Sequence, residues 1–160
     1  MAWADRSLAW TGRHRLDLRD GGVALSLFLL LLAVATTVPV AAIQLPGYLL
    51  LVGFDALQNG LVPGLGTGLY AVGFAAYLLV LGLVAVWFAQ LFRRTYGPAN
   101  RAWRYGVAGG LVTVGLLAFA DLLLVLLPNA RGDPSPLIAV LGVILFGLIA
   151  GLWLARTNPT

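Results

Sequence analysis

Four stretches of this chain, Val23 to Ile43, Gly68 to Phe92, Gly106 to Leu127 and Leu137 to Ala155, run long in apolar residues with almost no charge. Each is close to or above the roughly 20 residues that an α-helix needs to cross the hydrocarbon core of a bilayer. In lipid a chain must satisfy its own backbone N–H and C=O groups, and for single stretches of this length the helix does so. The expected fold is therefore an all-α integral membrane protein with a four-transmembrane-helix bundle over residues 23–155. Composition agrees: 61% of residues are hydrophobic and 10% charged, against about 25% charged in an ordinary soluble domain.

Between the first two spans lies Gln44 to Thr67, where the apolar run Tyr48 to Phe54 is followed by Asp55, Gln58, Asn59 and Pro63. A spanning reading would put three polar side chains at membrane depth, a costly arrangement. Pro46 and Pro63 bracket a run too short to cross. The segment is accordingly expected to be a short interfacial or re-entrant helix.

Charge placement orients the bundle. All ten basic residues are Arg and all six acidic ones Asp. Loops on the cytoplasmic side carry an excess of Arg and Lys near the span ends. With four spans, Arg6, Arg13, Arg15, Arg19, Arg93, Arg94, Arg101, Arg104 and Arg156 share one side and Arg131 alone takes the other. A fifth span would split them. The expected location is the cell membrane, with both termini cytoplasmic: residues 1–22 as a segment able to lie on the leaflet as an amphipathic helix, residues 156–160 as a tail. Tryptophan favours the headgroup level, and Trp3, Trp10, Trp87, Trp103 and Trp153 all fall in or near the same cytoplasmic segments. A cleavable signal peptide fits poorly, because the first apolar run is long for its hydrophobic part and 22 residues precede it.

Several chemistries are excluded. Without cysteine there are no disulfides, thiolate metal sites or thiol nucleophiles, and His14 is the single histidine. Asp17, Asp20 and His14 lack a recognisable metal-ligand spacing, so no metal and no cofactor is expected. Gly64 to Gly68 has no P-loop lysine. The arginines and aromatics of the 93–104 loop read as headgroup and topology residues, Arg93, Arg94, Arg101 and Arg104 together with Trp87 and Trp153, rather than as a nucleic-acid surface.

Asp121 is the sharpest polar feature, a lone carboxylate in the run Leu116 to Leu127. An ionised carboxylate at the centre of a spanning helix costs about 2.5–3.5 kcal/mol on the insertion scale, so it needs a partner, a proton or water. It is a candidate intramembrane protonatable site, with Thr36, Thr37 and Arg131 as possible partners. Pro39 is expected to kink the first helix, leaving the Ala35 carbonyl for Thr36 or Thr37 to satisfy. Small residues mark helix contacts in membranes, and the pairs Gly106 and Gly110, Ala71 and Ala75, and Gly147 and Gly151 are candidate packing faces for the bundle or for another subunit.

These features order three expectations. The first is a non-catalytic accessory or scaffold subunit, partnered by the lipid bilayer and by homo- or hetero-oligomer contacts through the small-residue faces. The second is a proton- or cation-coupled transporter or channel component using Asp121. The third is a lipid-modifying membrane enzyme using Asp121 or Asp55, which ranks last because a base, a nucleophile and charge stabilisers do not converge in the sequence.

Overall fold

The computed structural model describes residues 2–61, 66–97, 101, 103–126 and 135–157. Among these the regular structure is entirely helical: α1 (Ala2–Thr37), α2 (Ala41–Leu61), α3 (Thr67–Tyr96), α4 (Arg104–Asp121) and α5 (Ser135–Arg156), with α4 passing into a π-helical turn, Leu122–Leu126. Five helices are long and apolar enough to cross a membrane. The chain is thus a helical membrane protein by length and composition, with large apolar side chains such as Leu83 on α3 and Ile149 on α5 turned outward.

Two boundaries differ from the sequence expectation. The first span, expected at Val23 to Ile43, ends at Thr37, and Ala41 already belongs to α2. Pro39 lies in the three-residue break rather than inside a kinked helix. Its ring disfavours helical backbone at the preceding residue and it has no N–H to continue the ladder. The chain restarts at once, with the amides of Ile43 and Gln44 both donating to the Val40 carbonyl. The segment after it is a continuous helix of 21 residues with Pro46 in its second turn, so that proline does not bound the run. Residues 1–22 are not a separate element either: from Ala2 onward they continue into α1, which at 36 residues is about 54 Å long.

Small residues set how the helices pair. Asp20 meets Arg93, Gly21 approaches Val86 and Gly82 approaches Leu25, which runs α1 antiparallel to α3. Gly106 rests on the Asp20 carbonyl and Val23, and Gly110 on Ala24 and Leu27, which runs α1 parallel to α4. At Gly109 the α3 and α4 backbones come so near that a Cβ would stand 2.2 Å from the Ala85 carbonyl oxygen. Gly147 and Gly151 sit against α4 at Leu111 and Ala108. Close backbone approach of this kind supplies the dispersion contacts that hold helices together where lipid is as apolar as they are.

The result is an array in which α1 and α4 point one way and α3 and α5 the other. Helix α4 is its hub, with 56% of its apolar window buried against 17–28% in the other four. One end holds Arg93, Arg104 and the C-terminus of α5, and is called here the arginine end. The opposite end holds Asp121.

Helix α2 belongs only to the Asp121 end. Gly47 presses on Leu31 and Ala35 near the end of α1, Gly53 meets Tyr77, Leu117 and Asp121, and Phe54 packs on Tyr70 and Phe74 near the start of α3. Its buried residues Gly47, Leu50 and Phe54, with Leu49 and Gly53, form one helical stripe, while Asp55, Leu57 and Asn59 are exposed.

Candidate functional site at Asp121

The site is built by three elements. Asp121 is the last α-helical residue of α4, and the ladder then widens into the π-turn. Such single-turn insertions are frequent at functional sites. From α3 comes Tyr77, and from α2 comes Gly53. A Cβ on Gly53 would lie 2.8 Å from the Tyr77 hydroxyl, 2.9 Å from Leu117 Cδ1 and 3.2 Å from Asp121 Oδ1. The phenol and the carboxylate therefore converge on one point of the α2 backbone, at most 6.0 Å apart, the sum of 2.8 and 3.2.

Both groups are deeply enclosed, with 3% of Asp121 and 8% of Tyr77 exposed. Neither Asp121 Oδ2 nor the Tyr77 hydroxyl has a hydrogen-bond partner among the described residues. Buried polar atoms are nearly always paired, and one left without a partner costs about 1–3 kcal/mol, more when charged. Packed against the same glycine, a carboxylate and a phenol offer a proton acceptor and a donor to one another's surroundings.

Closer to the surface of the same end, the Tyr70 hydroxyl donates to Asp55 Oδ1 at 2.9 Å. Tyr70 and Tyr77 lie seven residues apart on one face of α3. Phe54 separates them, its ring 5.0 Å from that of Tyr70 and 5.6 Å from that of Tyr77. The two carboxylates thus stand on opposite sides of an aromatic wall and do not share a reacting centre.

The expected partners of Asp121 lie elsewhere. Thr36 and Thr37 are exposed and donate to the carbonyls of their own helix, Thr36 to Leu32 and Ala33, Thr37 to Ala33. The Ala35 carbonyl is not their target. Arg131 lies outside the described residues, as do the side chains of Trp3, Trp10 and His14. Of the small-residue pairs, Gly106 with Gly110 and Gly147 with Gly151 are occupied by contacts within the chain, whereas Ala71 and Ala75 face outward.

The arginines divide in the same way. Arg94 and Arg101 are exposed, and Trp87 and Trp153 stand 59% and 64% exposed. Arg93 instead pairs with buried Asp20 and lies over the Tyr105 ring at 5.8 Å. Arg104, also buried, donates to the Leu154 carbonyl at 2.7 Å and to Thr157 Oγ1 at 2.6 Å, closing the C-terminus of α5. Tyr105 donates to the Gly97 carbonyl at 2.8 Å.

Sequence reasoning missed Tyr77, Gly53 and the Asp20 pairing. A signal existed for the tyrosine: Tyr70, Phe74 and Tyr77 repeat at helical spacing. None existed for Asp20 and Arg93, which are 73 positions apart. No protein-family model, curated protein or solved structure matches this chain.

Proposed function

We propose that the chain is a small proton- or cation-coupled transporter or channel component of the cell membrane, with Asp121 as its coupling acid. In this reading α1, α3, α4 and α5 cross the bilayer and α2 re-enters from the Asp121 end. The observation that carries it is the enclosed Asp121 and Tyr77 pair, drawn together at Gly53 with polar atoms unpartnered among the described residues. Intramembrane ionisable residues that face a helix interior mark ion and proton pathways. Non-helical or inserted segments at such sites are tolerated where protein covers them.

The four-span topology is supported by the confinement of α2 to one end and by the arginines. Arg93, Arg94, Arg101, Arg104 and Arg156 are gathered at the end opposite Asp121, which by the positive-inside rule supports reading that end and both termini as cytoplasmic. The Asp121 end then faces outward. A scaffold role finds less support, because two of the three small-residue pairs are spent inside the chain; the outward pair Ala71 and Ala75 is what an oligomer would use.

The test is flux. Purified protein in liposomes carrying an internal pH dye is expected to pass protons, or an alkali cation followed by its own indicator, and Asp121→Asn is expected to abolish the flux. Wild-type rates equal to those of empty vesicles, or an Asp121→Asn variant as fast as wild type, would remove the proposal.

A further inference from the structure

We infer that the arginine end carries a binding site for one anionic phospholipid, its phosphate held by Arg156 beside Tyr96 and an acyl chain lying along the exposed stripe of α5 that leads up to them. The inference rests on α5 crossing the bilayer and not on the role of Asp121.

Charge is the first observation. The described arginines of this end are of two kinds. Arg93 is matched by Asp20, and Arg104 is spent on the Leu154 carbonyl and Thr157. Arg94, Arg101 and Arg156 are exposed and form no ion pair among the described residues. Asp20 is the one acid among the described side chains here, and it already faces Arg93 and Arg19. Such an end attracts phosphate and offers a choline or ethanolamine cation no described carboxylate, so a headgroup of net negative charge fits it better than a zwitterionic one.

Position singles out Arg156. Arg104 ties the last turn of α5 to α4, and from that turn the Arg156 Nε donates to the Tyr96 hydroxyl of α3 at 3.4 Å. The phenol engages one N–H of the guanidinium and leaves its two NH2 groups, the fork that matches phosphate oxygens. The Tyr96 hydroxyl, accepting from Arg156, keeps its own proton to donate to the same anion. Arg94 lacks this support. It lies two positions from Tyr96, about 160° away around α3, and no described group holds it.

The surface leading to Arg156 suits a hydrocarbon chain. Phe146, Ile149 and Trp153 are all exposed. At their helical spacing they and Arg156 lie within about 80° of one another around α5. Over roughly 15 Å of helix the stripe passes from apolar side chains to an indole and then to a guanidinium. A phospholipid presents acyl chain, interface and phosphate in that order.

The experiment counts bound lipid. The full chain in a neutral detergent is titrated with phosphatidylglycerol, or with phosphatidylcholine of the same acyl chains, and the lipid retained is read by native mass spectrometry. One phosphatidylglycerol is expected to be held more tightly than phosphatidylcholine, and excess inorganic phosphate is expected not to displace it, because the acyl chain contributes to the hold. Arg156→Gln is expected to weaken binding about tenfold, the worth of one charge-assisted hydrogen bond. Tyr96→Phe, which alters no charge, is expected to weaken it about two- to fivefold. Arg94→Gln removes the same charge from the other side of α3 and is expected to bind as wild type does; both arginines are exposed, so neither change threatens the fold. Equal losses in Arg156→Gln and Arg94→Gln would overturn the site in favour of diffuse attraction. Equal retention of the two lipids, displacement by inorganic phosphate, or wild-type affinity in Tyr96→Phe would overturn it as well. Asp121→Asn is expected to retain the lipid, so the site and the coupling acid stand or fall separately.

Discussion

The two ends of the helix array treat buried polarity in opposite ways. At the arginine end Asp20 is matched by Arg93, Arg104 by the Leu154 carbonyl and Thr157, and Tyr105 by the Gly97 carbonyl. At the other end Asp121 Oδ2 and the Tyr77 hydroxyl are equally enclosed, yet no described residue bonds them. The same fold thus contains acids of two kinds, one spent on joining α1 to α3 and one held in reserve. Burial alone does not mark a functional acid. What separates Asp121 from Asp20 is that no described residue places a cation beside it.

That contrast is broken most forcefully by Arg93→Ala. The substitution leaves the fully buried Asp20 without its principal partner, and removing one member of a buried pair costs about 3–5 kcal/mol. The expected value is near the lower figure, because Arg19 stands 3.9 Å from the same carboxylate. Reversible unfolding in mixed micelles measures it. A cost below that of a typical surface change would mean that Asp20 is not held by Arg93.

Next in size is Gly109→Ala, where the added methyl would meet the Ala85 carbonyl of the facing backbone at 2.2 Å and must push two helices apart. Overpacking of this kind costs about 1–3 kcal/mol. Gly53→Ala is the counterpart at the other end, and its methyl meets the ends of side chains rather than backbone. Its stability is expected to fall by less than that of Gly109→Ala while flux is lost, since the methyl would stand 2.8 Å from the Tyr77 hydroxyl and 3.2 Å from Asp121 Oδ1 and must push the two aside. Tyr105→Phe then removes one hydrogen bond to the Gly97 carbonyl, with an expected cost of about 1 kcal/mol and no effect on flux.

Hydrophobic runs made the all-helical, membrane-type character of the chain legible. Span length located α3, α4 and α5 to within a few residues, because apolar content over a long window depends little on neighbours. The break at Pro39 was visible as a residue, but its effect was not: whether a proline kinks a membrane helix or ends it depends on what receives the next segment, here the surfaces of Leu31 and Ala35 that seat Gly47. Asp121 was legible as an outlier in an apolar run. Tyr77 was not, because nothing local says that the phenol and the carboxylate meet; that depends on α2 offering a glycine at residue 53. Arg93 and Arg104 were read as headgroup residues since Arg near a span end usually is one, and only packing reveals the acid and the helix terminus that they satisfy.

The smallest effect carries the sharpest information. Asp121→Asn keeps the shape of the side chain and takes away its charge. At a partnered acid such a change leaves a cation exposed to an apolar interior, whereas here no described cation faces Asp121, and the introduced amide brings a donor toward the nearby Tyr77 oxygen. Unfolding free energy is therefore expected to stay within about 0.5 kcal/mol of wild type, the range of substitutions that break no specific feature, or to rise as the burial cost of a carboxylate disappears. Asp20→Asn, the identical chemical change at the arginine end, is expected to destabilise, because it strands Arg93. Measured side by side in one detergent, the two variants differ only in which acid has been neutralised. Equal losses in both would make Asp121 a second structural anchor, and the distinction between the two ends would vanish with it.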